Sequence, residues 1–193
     1  MSVIVAVREN GVVYLGADSQ TSVSRRKYSN LNETSFKVRR LENGVLVGFC
    51  GRVAAAQTIL SLKDVFTLNE EGRLTKKHIV EEIIPKLSDK MEEIGDEEGG
   101  AMEVSILLAH KDALYRITSK LDVVHQTEYS KAGAGLSFVE YVLSERKDLP
   151  VRERILKALV ESARKTESVS GPYVLIDTDK LEYEVVDMGG ENY

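Results

Sequence analysis

The chain has 193 residues, of which 42% are apolar and 30% charged, with a formal net charge of −5. That length suits one domain, 1–193, with a full core, and the acidic balance gives no general reason to bind nucleic acid or an anionic membrane. No apolar run is long enough to span a bilayer and the first residues lack the basic region of a signal peptide. The single cysteine, Cys50, excludes an intrachain disulfide and favours a reducing compartment, so the chain reads as cytoplasmic.

In chain order, the first element is a strand, Val3 to Arg8, and directly ahead of it stands Met1-Ser2. Methionine removal is favoured before small residues, and it would expose Ser2 as the first residue. Ser2 would then carry a hydroxyl nucleophile and a free α-amine on one framework. Such an amine titrates near ~7.7–8.0, low enough to act as a base at neutral pH. A hydroxyl is a weak nucleophile until a neighbouring base takes its proton, and an N-terminal serine supplies both parts.

Asn10-Gly11 is a two-residue hairpin signal, and the second strand that follows it, Val12 to Gly16, carries Asp18 back toward the level of Ser2. Residues 21–35 are polar and read as a flexible stretch. A second hairpin of the same grammar follows, residues 36–41 and 45–51 around Glu42-Asn43-Gly44. Composition then turns helical over 54–66, which puts Gly51 at a strand-to-helix junction. A glycine there frees a backbone N–H near a helix start, a donor suited to a developing oxyanion. Phe49 and Val53 flank that turn and are expected to line the pocket for the substrate residue before the scissile bond, favouring an apolar side chain.

Further on, a helix is expected over 75–94, capped by Thr75 and kinked at Pro85. Strands follow at 103–110, 113–118 and 123–129, helices at 136–144 and 151–165, and closing strands at 173–177 and 183–187. This order gives an α/β (α+β) four-layer αββα sandwich, with helices covering both faces of two stacked antiparallel sheets. His78, His110 and His125 have no ligand spacing, so no metal is expected, and no cofactor. Gly133-Ala134-Gly135 lacks the third glycine and the lysine of a phosphate loop. Arg25-Arg26-Lys27 and Arg39-Arg40 read as solvated clusters, and Cys50 as a small core residue.

Several strings together resemble the β-type subunits of proteasomes and, within them, the HslV-like peptidases. They are Ile4-Val5-Ala6-Val7-Arg8 with Asn10-Gly11-Val12-Val13, Gly16-Ala17-Asp18-Ser19-Gln20, Lys37-Val38-Arg39-Arg40-Leu41 and Gly48-Phe49-Cys50-Gly51. The match is strong to about Thr58 and beyond it is mainly an order of elements, with Ser170-Gly171 before a late strand. The resemblance implies the N-terminal nucleophile hydrolase fold, with Ser2 at the nucleophile, Asp18 and Lys37 as its catalytic partners and Gly51 in the oxyanion hole. A late supporting pair falls on Glu167 and Ser170. It also implies a homo-oligomeric ring, two of them stacked, fed with unfolded polypeptide by a AAA+ unfoldase ATPase.

Chemistry agrees with that placement, since a Lys37 ammonium would favour deprotonation of the Ser2 hydroxyl and Asp18 would hold the ammonium in place. Three departures stand against it. Serine replaces the family's threonine at position 2, Ala134 stands where the family's Gly-Ser-Gly turn has a hydroxyl, and Ala55 stands where an Asp is common. A non-catalytic ring or scaffold subunit and a small-molecule amidase on the same fold therefore remain open beside the peptidase.

Overall fold

Strand β1 (Val3–Glu9) sets the architecture, because both of its faces are apolar. Val3, Val5 and Val7 point one way and Ile4 and Ala6 the other, and all five are buried. Such a strand needs a packed layer on each side. The computed structural model, which describes residues 2–23, 26–29, 32–61, 64–93 and 104–188, provides both.

β1 turns through Asn10-Gly11, both at positive φ (52° and 80°), into β2 (Val12–Asp18), which places Ala17 opposite Ile4. These strands sit in a five-stranded sheet of order β10 (Tyr129–Gly133), β1, β2, β11 (Tyr173–Asp177), β12 (Glu184–Val186). The second sheet runs β5 (Val38–Arg40), β6 (Leu46–Gly51), β7 (Val104–His110), β8 (Ala113–Ile117), β9 (Val123–His125). Every pairing in both sheets is antiparallel.

Alternation along the strands divides the core into three apolar layers. Between the sheets lie Ile4, Ala6, Leu15, Leu46, Leu107 and Val174. On the outer face of the first sheet, Val3, Val5 and Val7 meet α4 (Leu136–Glu145) and α5 (Val151–Lys165) through Val139, Ile155 and Leu159. Outside the second sheet, Val45, Val47 and Phe49 meet α1 (Val53–Ser61) and the segment from α2 (Lys76–His78) to α3 (Ile84–Glu93). The result is the expected αββα sandwich. Gly16 lets α5 approach closely, since a Cβ there would stand 2.4 Å from Ile155 Cγ2.

The structure departs from the sequence-based expectation in three places. Residues 21–35 hold a two-stranded hairpin, β3 (Gln20–Val23) with β4 (Arg26–Ser29), and a 3₁₀ turn at Glu33–Ser35. Its strand sequences, Gln-Thr-Ser-Val and Arg-Lys-Tyr-Ser, are mostly polar, so no hydrophobic alternation announces them. The single strand expected over 123–129 is two, β9 and β10, which belong to opposite sheets. The chain crosses between them at Gln126–Glu128, where the Glu128 carbonyl accepts the Arg8 N–H at 2.7 Å. Helix α1 ends at Ser61, and the buried Val65 and Phe66 pack from a turn instead.

Thr75 does cap the next helix, accepting the His78 N–H at 3.2 Å. A π turn, Ile79–Ile83, leads from α2 into α3, and the Ile84 N–H reaches back to the Ile79 carbonyl. Pro85 has no N–H and its ring crowds the carbonyl four residues back, so a widened turn just before it absorbs the expected kink. The ends of this helix and of β7 were expected at Ile94 and Glu103, which lie outside the described residues. Among the described residues no helix is long and apolar enough to cross a membrane.

Candidate active site

The backbone around Ser2 is fixed from three sides. The Val3 N–H donates to Asp18 Oδ1 at 2.9 Å. The Ser2 carbonyl accepts the Ala134 N–H at 2.8 Å and the Cys50 thiol at 3.3 Å. β1 thus begins pinned between the end of β2, the end of β6 and the turn after β10. Gly133 makes the last approach possible. Its φ is +111°, and a Cβ there would fall 1.8 Å from the Ser2 carbonyl oxygen and 2.6 Å from Cys50 Sγ.

Asp18 ends β2 with its side chain fully buried. Its Oδ2 accepts the Lys37 ammonium at 2.8 Å and the Gln20 N–H at 3.2 Å. Lys37 Nζ also donates to the Gln20 carbonyl at 2.6 Å. Three donors therefore surround a carboxylate that has lost its water, the condition under which a buried charge is tolerated. Burial still acts on both partners. It pushes Lys37 below the ordinary lysine range, against the pull of the Asp18 charge and hydrogen bond. It pushes Asp18 upward, against Lys37 and the N–H groups of Val3 and Gln20. Burial likewise raises the Cys50 thiol, opposed by a hydrogen bond with the Ser2 backbone and by the Lys37 charge. Cys50 remains a protonated donor at neutral pH.

A cleft of about 310 Å³ opens above this pair and is lined by Ser2, Lys37, Gly51, Phe49 and Val53 among others. Lys37 lies just before β5, with its carbonyl accepting the Phe49 N–H at 2.8 Å. Val38 faces between the sheets, so Lys37 and Arg39 both face the α1 side, one strand period apart. The facing wall is one side of α1, Val53, Ala56, Gln57 and Leu60, at helical spacing. Gly51 sits at the junction with φ 145°, a conformation that a side chain would strain.

Ser2, Asp18, Lys37 and Gly51 thus come together at one end of the sandwich, with Phe49 and Val53 beside them. Glu167 and Ser170 reach the same region through their backbones. The Glu167 carbonyl accepts Gln20 Nε2 at 3.2 Å and the Ser170 carbonyl accepts the Ser19 N–H at 3.3 Å, while the Glu167 side chain is exposed. Ala134 is buried, and its carbonyl accepts the hydroxyl of the fully buried Ser162 at 3.1 Å.

Sequence reasoning missed four contributors. Gln20 holds both Asp18 and Lys37 through its backbone, which side-chain identity cannot announce. Cys50 is a core residue as expected, yet its thiol also touches Ser2. Gly133 was legible only as a turn, although its lack of a side chain is what admits Ser2. Arg39, read as part of a solvated cluster, is half-buried in the cleft wall. Strict alternation after Lys37 was the available signal. Arg40 is exposed, as the cluster reading has it, and donates to the Leu181 carbonyl at 2.9 Å.

Among solved structures, the Anbu (Gly-1) mutant from Hyphomicrobium sp. strain MC1 superposes with a TM-score of 0.76 at 16% identity, over 99% of this chain and 89% of that one. BPH from Thiobacillus denitrificans, in complex with epoxomicin, gives 0.73 at 15% identity over 93% and 99%. Eukaryotic HslV from Trypanosoma brucei gives 0.62 at 19% identity over 91% and 98%. The fold is that of the proteasome β-type, HslV-like N-terminal nucleophile hydrolases. No protein-family model matches the sequence. At these identities the likeness establishes the proteasome-like architecture, and the chemistry must be argued from the residues themselves.

Proposed function

We propose that this chain, acting as one unit over 1–193, is a proteasome-like, self-compartmentalising peptidase subunit whose N-terminal nucleophile is Ser2 once Met1 is removed. The observation that carries the proposal is the buried Lys37–Asp18 pair beneath a cleft that opens at Ser2. An isolated surface pair would carry little meaning, but a lysine held below its ordinary range in the same cleft as a serine hydroxyl suits nucleophile activation. Met1 itself lies outside the described residues. While it remains attached, the Ser2 nitrogen is an amide and cannot serve as a base.

In the proposed reaction the freed α-amine takes the Ser2 hydroxyl proton, directly or through a water, and Oγ attacks the scissile carbonyl. Lys37 stabilises the developing alkoxide, Asp18 holds Lys37, and the Gly51 N–H stabilises the tetrahedral oxyanion. The ammonium formed at the α-amine returns its proton to the leaving amine. A water then attacks the acyl-enzyme by the same route and regenerates Ser2. Serine lacks the methyl that fixes a threonine hydroxyl's rotamer, so amides should be cut more slowly than a threonine nucleophile would cut them, with esters and activated peptides the better substrates.

The partners follow from the same reading: a homo-oligomeric ring, two rings stacked, a AAA+ unfoldase and unfolded polypeptides in a cytoplasmic compartment. Assembly is consistent with the helical assembly recorded for Anbu from Pseudomonas aeruginosa. The test is hydrolysis of fluorogenic peptides by protein shown to lack Met1, with Ser2→Ala and Lys37→Ala both inactive and Ser2→Thr at least as active. Ala134 favours a second reading, a non-catalytic ring or scaffold subunit, because it leaves no hydroxyl in the turn that clamps Ser2. Assembly without any hydrolysis in processed protein would select that reading.

A further inference from the structure

The cleft above Lys37 differs in charge from the rest of the molecule. Three cations, Lys37, Arg39 and Arg52, line it, and none of the described residues lining it is a carboxylate. The chain as a whole carries a net charge of −5. Lys37 is engaged by Asp18 below, whereas Arg39 is held differently. Among the described residues Arg39 forms no ion pair. Its one side-chain hydrogen bond among the described residues runs from Nε to the Phe36 carbonyl at 2.9 Å. That bond orients the guanidinium and leaves the terminal nitrogens for a ligand. Arg39 is half-buried, which strengthens a charge-assisted contact relative to open solvent.

Beside it the cleft is apolar. Phe49 lies on the neighbouring strand, on the face that Lys37 and Arg39 share, and Val53 and Leu60 come from α1. A side chain with a short apolar stem and a carboxylate end matches both surfaces. We propose that Arg39 makes this cleft a selector for acidic side chains, glutamate above all, at the substrate residue that precedes the scissile bond. This rests on the peptidase reading above and revises the apolar preference expected from Phe49 and Val53 alone. The two residues would carry the methylenes, and Arg39 the charge.

The experiment uses full-length protein lacking Met1 and blocked fluorogenic peptides that differ only in the last residue: Glu, its uncharged isostere Gln, Leu or Lys. The expected kcat/KM for Glu exceeds that for Gln by about tenfold or more, as a charge-assisted bond to a fixed guanidinium implies. Arg39→Gln should bring that ratio close to one, Arg39→Lys should restore part of it, and Arg39→Glu should shift preference to the Lys peptide. A merely structural role for Arg39 would not exchange one charge preference for the other. A Glu-to-Gln ratio near one in the unmodified protein, or one unmoved by these substitutions, overturns the proposal while leaving the peptidase reading intact. If no peptide is cut, binding of labelled Glu and Gln peptide amides to the same variants is read by fluorescence polarisation. An Arg39-dependent preference for Glu then supports the cleft assignment while the peptidase reading falls, and equal or absent binding overturns both.

Discussion

The two ends of the β1–β2 hairpin carry the same kind of interaction in opposite settings. At one end, Lys37 meets Asp18 with side chains 12% and 0% exposed. At the other, Arg8 meets Asp112 at 2.9 Å with side chains 34% and 61% exposed. The Arg8 end is built of tight turns, Asn10-Gly11 and Lys111-Asp112, with Asn10 and Lys111 at positive φ. Its Arg8–Asp112 charges stay largely in water, and of the Glu9–Arg154 pair beside them only the arginine is buried, so that of these pairs only Lys37–Asp18 is buried on both sides. At the Ser2 end three segments, the ends of β2 and β6 and the turn after β10, converge on the start of β1 beside a buried carboxylate. An exposed pair contributes about 0–1 kcal/mol, whereas removing one member of a buried pair costs about 3–5 kcal/mol. A fold gains little from burying an ion pair, so the Ser2 end is where the geometry calls for a functional reason.

The largest expected effect separates the ends by activity. Ser2→Ala and Lys37→Ala should each lower peptide hydrolysis by about 10³-fold or more, and the double variant should be little worse than either, as for groups that act as a unit. Arg8→Ala should leave the rate within about twofold, since exposed pairs contribute little. Stability should show the same asymmetry. Lys37→Met strands the Asp18 carboxylate and should cost about 3–5 kcal/mol in urea unfolding. A loss below about 1 kcal/mol would place Lys37–Asp18 in the class of the surface pairs.

Gly133→Ala tests the clamp on Ser2. It forces a side chain onto the Ser2 carbonyl from a φ of +111° and should cost about 2 kcal/mol or more, with loss of activity in whatever remains folded. Gly11→Ala, where nothing lies within 4 Å, carries only the cost of its positive φ of 80° and should leave the activity of the folded protein unchanged.

A pH profile sharpens the roles at the Ser2 end. The α-amine must be unprotonated, so the rate should climb through ~7.7–8.0. Lys37 must be protonated to favour the alkoxide, so the rate should fall as pH rises through its pKa. Burial holds that pKa below the ordinary value of 10.5, which places the alkaline limb below pH 10.5. A rate still rising at that pH would remove the ammonium from the mechanism. Smallest of all, Arg8→Ala should shift stability by less than about 1 kcal/mol, and less again in high salt.

Much of this architecture was legible because apolar alternation and turn chemistry agreed. Asn10-Gly11 and Asn43-Gly44 marked both hairpins, and the ranges 151–165 and 173–177 match α5 and β11. The β3–β4 hairpin was hidden because its strands are mostly polar, and the β9–β10 crossing because Gln126–Glu128 carries no glycine or proline to mark a change of sheet. Within the site, Ser2, Asp18, Lys37 and Gly51 stood out through their neighbours and their places at strand ends. Gln20, Gly133 and Arg39 act by a backbone carbonyl, a missing Cβ and a strand parity, and none of these is written in residue type alone.

The central claim, that Ser2 is an N-terminal nucleophile, is tested most directly by intact mass spectrometry after treatment with a peptide epoxyketone or β-lactone. The account predicts a chain lighter by its initiating methionine that gains one equivalent of inhibitor, located on Ser2 and absent from Ser2→Ala and Lys37→Ala. A processed, assembled chain that gains no mass at Ser2 would contradict it.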